Sequence, residues 1–146
     1  MNNDRKVHEF NESMDSAALI VAARVIALRH LGVTCAGRIA FDGYSTRTGW
    51  TAALDVSDGV PTNTSVKVAC LAGVYALERY DRESGGNLRK CPPLSHEIIN
   101  ADFERPTIEN EVTEANHIVD DQWPEIIAEW QIIRANCLLG MYRPAA

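Results

Sequence analysis

The stretch DSAALIVAARVIALRHLG, residues 15–32, decides the fold because it contains the longest apolar run of the chain and repeats its apolar residues at helical spacing. Ser13 or Asp15 is predicted to cap this first helix, and Gly32 is predicted to end it. At about 100° per residue, one face of the helix carries a continuous stripe. The stripe consists of Ala17, Ile20, Val21, Arg24, Ala27, Leu28 and Leu31. The sequence therefore predicts a helix whose apolar face packs in the core.

Arg24 is the exception on this face, because a charged side chain lies at the centre of an apolar stripe. A buried guanidinium destabilises a fold unless it is paired and hydrogen-bonded. We expect a structural ion pair between Arg24 and Glu78, near the end of the second helix, with Asp81 as the second choice. Extension of Arg24 to solvent, or a ligand-binding or catalytic role, is the alternative.

A hairpin and a second helix are predicted next. Residues 33–41 and 50–56 are rich in strand-forming residues, and the segment between them is dense in turn formers. The second helix is predicted over about Ser65–Glu83, with Thr62 or Thr64 as its cap. The first part of the chain is therefore predicted to be a helix, a β-hairpin and a helix.

Three more helical stretches are predicted in the second half, where prolines separate them. They cover about Ser95–Glu104, Thr107–Asp120 and Trp123–Leu139. The fold class is thus α+β, mainly α-helical, with about five helices and one small β-hairpin between the first and second helix. We expect a single domain with a flexible lead-in at 1–12, a helix-hairpin-helix portion at 13–90 and an acidic helical portion at 91–146.

Composition excludes several classes of protein. The chain has 146 residues, of which 46% are hydrophobic and 23% charged, as is ordinary for one globular domain. Its longest apolar run, residues 17–23, is shorter than the ~20 residues that cross a bilayer, and the start of the sequence does not resemble a secretory signal. We expect no membrane segment and a cytoplasmic location. The cysteines are expected to be buried free thiols, since none forms a Cys-x-x-Cys pair. They are Cys35, Cys70, Cys91 and Cys137.

Three short strings carry a family resemblance. They are ALRHLGV at 27–33, CLAGVYALERY at 70–80 and SGGNLRK at 84–90. In these strings and in the order of its elements, the chain resembles the zinc-peptidase domain of FtsH-type ATP-dependent proteases over about residues 15–90. The resemblance implies a helix, a hairpin and a second helix that meet at a metal site.

The residues that the family uses for zinc are missing here. Ile20, Val21 and Arg24 stand where the resemblance implies the His-Glu-x-x-His motif, and Asn87 stands near the place of the loop aspartate. Zinc hydrolysis needs imidazole ligands and a carboxylate base, which these side chains do not supply. We expect a degenerate domain with no catalytic residues, metal or cofactor, in which the Arg24–Glu78 contact replaces the metal as the link between helices.

Acidic residues are concentrated between residues 97 and 129, where ten acids accompany one base, while the whole chain has a net charge of −6. This excess of negative charge disfavours direct nucleic-acid binding and favours association with a basic surface. The alternative is that the acidic residues only solvate exposed helices. The predicted binding surface consists of Glu104, Glu109, Glu111, Glu114, Asp120 and Asp121. The expected partner is therefore a basic protein, including one that itself binds nucleic acid.

The function expected from these features is non-catalytic protein binding. One alternative is a stoichiometric inhibitor of the phage anti-CRISPR or anti-defence type that mimics nucleic-acid charge. Another is a divergent metal-dependent hydrolase that uses His96, Glu114 and His117. Trp123 and Trp130 lie on one face of the last helix, where core packing is the simplest interpretation and a partner contact or homodimer is the alternative.

Overall fold

A computed structural model describes residues 2–41, 50–84 and 108–141 of the chain, with side chains described at 14–40, 50, 52–84 and 108–137. These ranges contain four helices and two strands, so the predicted α+β, mostly helical class is confirmed. In chain order the elements are α1 Asn2–His30, β1 Thr34–Phe41, β2 Trp50–Asp58, α2 Asn63–Ser84, α3 Glu109–Asp121 and α4 Trp123–Met141. The predicted helix at Ser95–Glu104 lies outside the described residues.

Helix α1 is longer than predicted. It begins at Asn2, so the predicted start at Ser13 or Asp15 is wrong, and residues 2–12 are helical where a flexible lead-in was expected. The physical reason is that residues 2–12 contain neither glycine nor proline, so nothing in the sequence breaks the helix there. A polar residue able to cap a helix is therefore not enough to start one.

The end of α1 follows the prediction. Gly32 has a φ of +88°, in the left-handed region that glycine adopts without strain. The amide N–H of Val33 donates to the carbonyl of Leu28 at 2.8 Å, and that of Gly32 donates to the carbonyl of Arg29 at 3.1 Å. These are the two hydrogen bonds of a Schellman motif, which reverses the chain into β1.

Strands β1 and β2 form an antiparallel hairpin, and their bounds differ slightly from the predicted 33–41 and 50–56. Gly37 of β1 pairs with Leu54 of β2 and lies directly over α1. A Cβ atom at Gly37 would come within 2.5 Å of Val21 Cγ1 and 2.8 Å of Val25 Cγ2. The absence of a side chain thus allows the hairpin to pack closely on α1.

The core surrounds α1. Every residue from Ser16 to Leu28 is buried, including Ala22, which the helical wheel places away from the apolar stripe. Helices α2 and α4 and the hairpin all contact α1, so it is covered on all sides rather than on one face. None of the helices in the described ranges is long and apolar enough to cross a membrane.

Helix α2 begins with a reciprocal cap. The hydroxyl of Thr62 accepts a hydrogen bond from the backbone N–H of Ser65 at 3.0 Å, and the hydroxyl of Ser65 accepts one from the N–H of Thr62 at 2.8 Å. This arrangement satisfies N–H groups that the first helical turn leaves without partners. Of the two predicted caps, Thr62 and Thr64, the structure uses Thr62.

Candidate functional site

A groove of about 430 Å³ lies between the start of α2 and the start of α3. Its principal lining residues are Leu31, Thr62, Thr64, Val68, Ile108 and Glu114. Ile108 is 51% exposed although it is a large apolar residue, and Val68 is buried beneath the groove surface. The groove therefore combines apolar surface with three hydroxyl groups and two carboxylates, those of Glu111 and Glu114.

Glu111 differs from the prediction, because it is only 2% exposed and so does not belong to an exposed acidic surface. Its Oε1 accepts a hydrogen bond of 3.1 Å from the backbone N–H of Ile108. A glutamate at the third helical position can reach back to the residue that precedes the helix, and Glu111 does so here. Glu111 therefore holds the first turn of α3, beside the groove.

The other predicted acidic residues of α3 divide into two groups. Glu109 is exposed in the first turn of the helix, and Glu114 is half-buried and lines the groove. At the far end, Asp120 Oδ1 lies 3.3 Å from Arg79 Nη1, and Asp121 Oδ2 lies 2.9 Å from His117 Nε2. Arg79 thus balances the charge of Asp120 at the far end of the predicted acidic surface, and Glu104 lies outside the described residues.

The part of α3 that lies near the groove is acidic. Helix α3 contains no lysine or arginine, and its exposed face carries Glu109 together with neutral side chains such as Asn110 and Thr113. Glu125, in the first turn of α4, is exposed but follows the far end of α3, where it lines a different pocket together with Arg29 and His30. A basic group that approaches this part of α3 would therefore meet carboxylates and no lysine or arginine of that helix.

Trp130 belongs to the core, so its predicted role in a partner or dimer contact is wrong. It is 4% exposed, and its indole Nε1 donates a hydrogen bond of 2.9 Å to the carbonyl oxygen of Asp15. Tyr80 packs edge-on against its ring at a centroid distance of 4.9 Å, and the guanidinium of Arg134 lies 4.5 Å from the ring centroid. These contacts with α1 and α2 cover the ring.

Trp123 is half-buried and is covered in part by Arg79, whose guanidinium carbon lies 4.4 Å from the ring centroid. Arg79 also lies 3.1 Å from Glu83 and 3.3 Å from Asp120. It therefore links α2 to α3 and α4. Sequence reasoning missed this role, since only the i,i+4 spacing to Glu83 is visible in the sequence.

Arg24 is buried, with 5% of its surface exposed, and it faces α2 near Gly73. A Cβ atom at Gly73 would lie 3.6 Å from Arg24 Nε, so the two helices approach closely at this point. Glu78 lies five residues further along α2 and is exposed. Arg24 makes a contact elsewhere in the chain, and the specific Arg24–Glu78 ion pair stays a prediction.

The described residues contain no group of three histidine, cysteine, aspartate or glutamate side chains that could hold a metal ion. Glu114 and His117 are on α3, but His117 is paired with Asp121. His96, the third residue of the alternative hydrolase site, lies outside the described residues, as does Asn87. The hydrolase alternative therefore gains no geometric support from α3.

The cysteines of the described ranges agree with the prediction of buried thiols. Cys35, Cys70 and Cys137 are buried and form no disulfide, whereas Cys91 lies outside these ranges. Burial raises the pKa of Cys35 and of Cys137. For Cys35, Arg29 lowers the pKa and Glu129 raises it, but desolvation has the largest effect. These thiols are therefore poor nucleophiles at neutral pH.

Comparisons of the chain with protein-family models, curated proteins and solved structures found no match. The resemblance to the FtsH-type zinc-peptidase domain therefore rests on the three short strings and the order of the elements, and it stays an expectation.

Proposed function

We propose that this protein is a non-catalytic protein-binding domain that recognises a basic protein through the groove and the acidic residues beside it. The observation that carries the proposal is the exposed Ile108 at an apolar groove that Glu114 lines, with the exposed Glu109 next to Ile108 in the first turn of α3. Protein interfaces characteristically combine an apolar centre with a polar rim. In this groove the apolar surface and the polar side chains come from the starts of α2 and α3.

The chemistry of the groove favours a partner segment that combines an apolar side chain with basic side chains. Ile108 and Val68 provide a site for an apolar side chain, while Glu109 and Glu114 provide acceptors for lysine or arginine. Charge complementarity of this kind increases the association rate and selects against acidic partners. The expected ligand is therefore a short segment of a basic protein that carries an apolar anchor next to one or two positive charges.

Hydrogen bonds hold the first turns of α2 and α3 on the two sides of the groove, which supports a binding role. Thr62 and Ser65 cap the start of α2 through reciprocal hydrogen bonds. Glu111 caps the start of α3 by accepting a hydrogen bond from the backbone N–H of Ile108. A preorganised site loses less conformational entropy when a partner binds. The same contacts place Glu111 in a structural role and leave Glu109 and Glu114 as the acidic residues that meet the partner.

A phage-type inhibitor that mimics nucleic acid must present a long series of negative charges, as a nucleic-acid backbone does. Asp120 pairs with Arg79 of the same chain, which reduces the negative charge at the far end of α3. The groove with its two acids fits a short basic segment better than it fits a long nucleic-acid-binding channel. We therefore propose binding of a basic protein segment in preference to inhibition by nucleic-acid mimicry.

Selection from a random-peptide display library tests the proposal. Peptides enriched on the wild-type protein should combine lysine or arginine with an apolar residue, and they should lose enrichment on a Glu109→Gln/Glu114→Gln variant. An Asp55→Asn/Asp58→Asn variant is the matched control, because it removes the same formal charge from exposed positions on β2. Enriched peptides without basic residues, or equal enrichment on both variants, would contradict the proposal.

A further inference from the structure

A cavity of about 220 Å³ lies where the end of α1 meets the turn between α3 and α4. It is lined by Ile26, Arg29, His30, Gln122 and Glu125. Ile26 is the apolar member and is 4% exposed, Gln122 is half-buried, and the other three residues are exposed. None of these residues lines the groove at the start of α3, so the two sites are separate.

The cavity is lined by charges of both signs. Arg29 and His30 belong to the last turn of α1, and Glu125 belongs to the first turn of α4. Both placements agree with the helix macrodipole, which favours cations at the end of a helix and anions at its start. The α1 side of the cavity therefore presents a positive group, and the α4 side presents a negative one.

The fold does not use the polar side chains of this cavity. Among the residues that the structure describes, the four polar lining side chains form no hydrogen bond and no ion pair, and Arg29 does not pair with Glu125. Elsewhere, helices are joined by such pairs, as at Arg79 and Asp120, whose atoms lie 3.3 Å apart. The donors and acceptors around the cavity therefore remain available to a ligand.

We propose that this cavity binds a free amino acid, with the carboxylate against Arg29 and His30 and the ammonium group against Glu125. A guanidinium holds a carboxylate through two parallel N–H groups, and an imidazole can add a further N–H. The amide of Gln122 supplies both a donor and an acceptor, and Ile26 provides an apolar contact for the ligand side chain. The proposal is independent of the binding role assigned to the groove.

Size and charge select this class of ligand. A water molecule occupies about 30 Å³ in the liquid, so a cavity of about 220 Å³ accommodates about seven groups of that size, which matches a small aliphatic amino acid such as valine. A phosphate or a dicarboxylate would face the carboxylate of Glu125, and a divalent cation would face the guanidinium of Arg29. A ligand that carries both charges avoids both repulsions.

NMR titration of L-valine into protein labelled with ¹⁵N and with ¹³C in its methyl groups, at constant ionic strength, tests the proposal. Isovalerate, which lacks the ammonium group of valine, and isobutylamine, which lacks its carboxylate, are the matched controls. Saturable shifts are expected at the Ile26 methyl groups and the Gln122 side-chain amide, and not at Ile133, which does not line the cavity.

Valine should bind about fivefold more tightly than either control, because each charged contact at an exposed site contributes modestly to affinity. Equal affinities for valine and either control would overturn the proposal. Shifts confined to other residues, or no saturable shift in the millimolar range, would also overturn it.

Two pairs of variants assign the contacts. Glu125→Gln should abolish the advantage of valine over isovalerate, while Glu129→Gln, one turn further along α4 and outside the cavity lining, should preserve it. Arg29→Gln should abolish the advantage over isobutylamine, and Arg38→Gln on β1 should preserve it. Both cavity variants should fold, because the substituted side chains are exposed. A preference for valine that persists in either cavity variant would contradict the role of that residue.

Discussion

The indole Nε1 of Trp130 donates a hydrogen bond to the carbonyl oxygen of Asp15 across a distance of 2.9 Å, and thereby joins α4 to α1. The two residues are 115 positions apart in the sequence. Arg134 strengthens the same junction, since its Nε lies 2.8 Å from Asp15 Oδ1. This junction fixes α4 against the core helix and explains why Trp130 is not available to a partner.

Truncation of Trp130 should destabilise the protein strongly. Trp130→Ala removes a buried ring and its hydrogen bond, so the free energy of unfolding should fall by about 3–5 kcal/mol. Urea denaturation followed by circular dichroism measures this change. Ile132→Ala is the control on the same helix, because Ile132 is 53% exposed, and it should change the stability by less than about 0.5 kcal/mol. Similar effects of the two substitutions would contradict the core assignment of Trp130.

Glu111 and Glu109 should respond differently to substitution, although both lie in the first turn of α3. Glu111→Ala leaves the N–H of Ile108 without its acceptor and should cost about 1–3 kcal/mol of stability. Glu109→Ala should cost less than about 0.5 kcal/mol, because its side chain is exposed. Thermal and urea unfolding of the two variants provide the comparison. Equal losses of stability would show that the Glu111 hydrogen bond is unimportant.

A side chain at Gly37 should disrupt the contact between the hairpin and α1. Gly37→Ala places a Cβ atom 2.5 Å from Val21 Cγ1, and overpacking of this kind typically costs about 1–3 kcal/mol. Combining it with Val21→Ala should recover part of the loss, because the second substitution removes the clashing methyl group. A double-mutant cycle of unfolding free energies measures the coupling. Strictly additive effects would mean that Gly37 is not packed against Val21.

Stability should fall at alkaline pH. Burial raises the pKa of Cys35 and Cys137 in the folded protein, whereas unfolding returns both thiols to ordinary values. The unfolded state therefore loses its protons first, and the stabilising contribution, complete at lower pH, decreases as pH rises above about 8.5. Urea unfolding between neutral and alkaline pH should show a shallower decrease for a Cys35→Ala/Cys137→Ala variant than for the wild type. Parallel curves for the two proteins would contradict this explanation.

Local chemistry in the sequence predicted several features correctly. The apolar residues of α1, the glycine that ends it and the Thr62 cap of α2 all depend on interactions within a few residues, which a sequence shows directly. The buried positions of Ile126 and Ile133 on α4 also follow from helical spacing.

Features that depend on tertiary packing were not predicted. Ala22 is buried because α2, α4 and the hairpin all pack against α1, and the contact of Arg79 with Asp120 joins helices that are distant in sequence. Glu111 is a related case, because its charge suggests exposure while its position in the first turn of α3 allows it to cap the helix. Charge counts along a sequence therefore overestimate the acidic surface that a partner can meet.

Isothermal titration calorimetry of a selected basic peptide tests the central claim most directly, with the Glu109→Gln/Glu114→Gln and Asp55→Asn/Asp58→Asn variants compared at low and high salt. The affinity should fall about tenfold or more for the groove variant, change little for the control and weaken with salt in the wild type. Equal affinity for both variants, or binding that does not depend on salt, would contradict recognition of a basic partner at this groove.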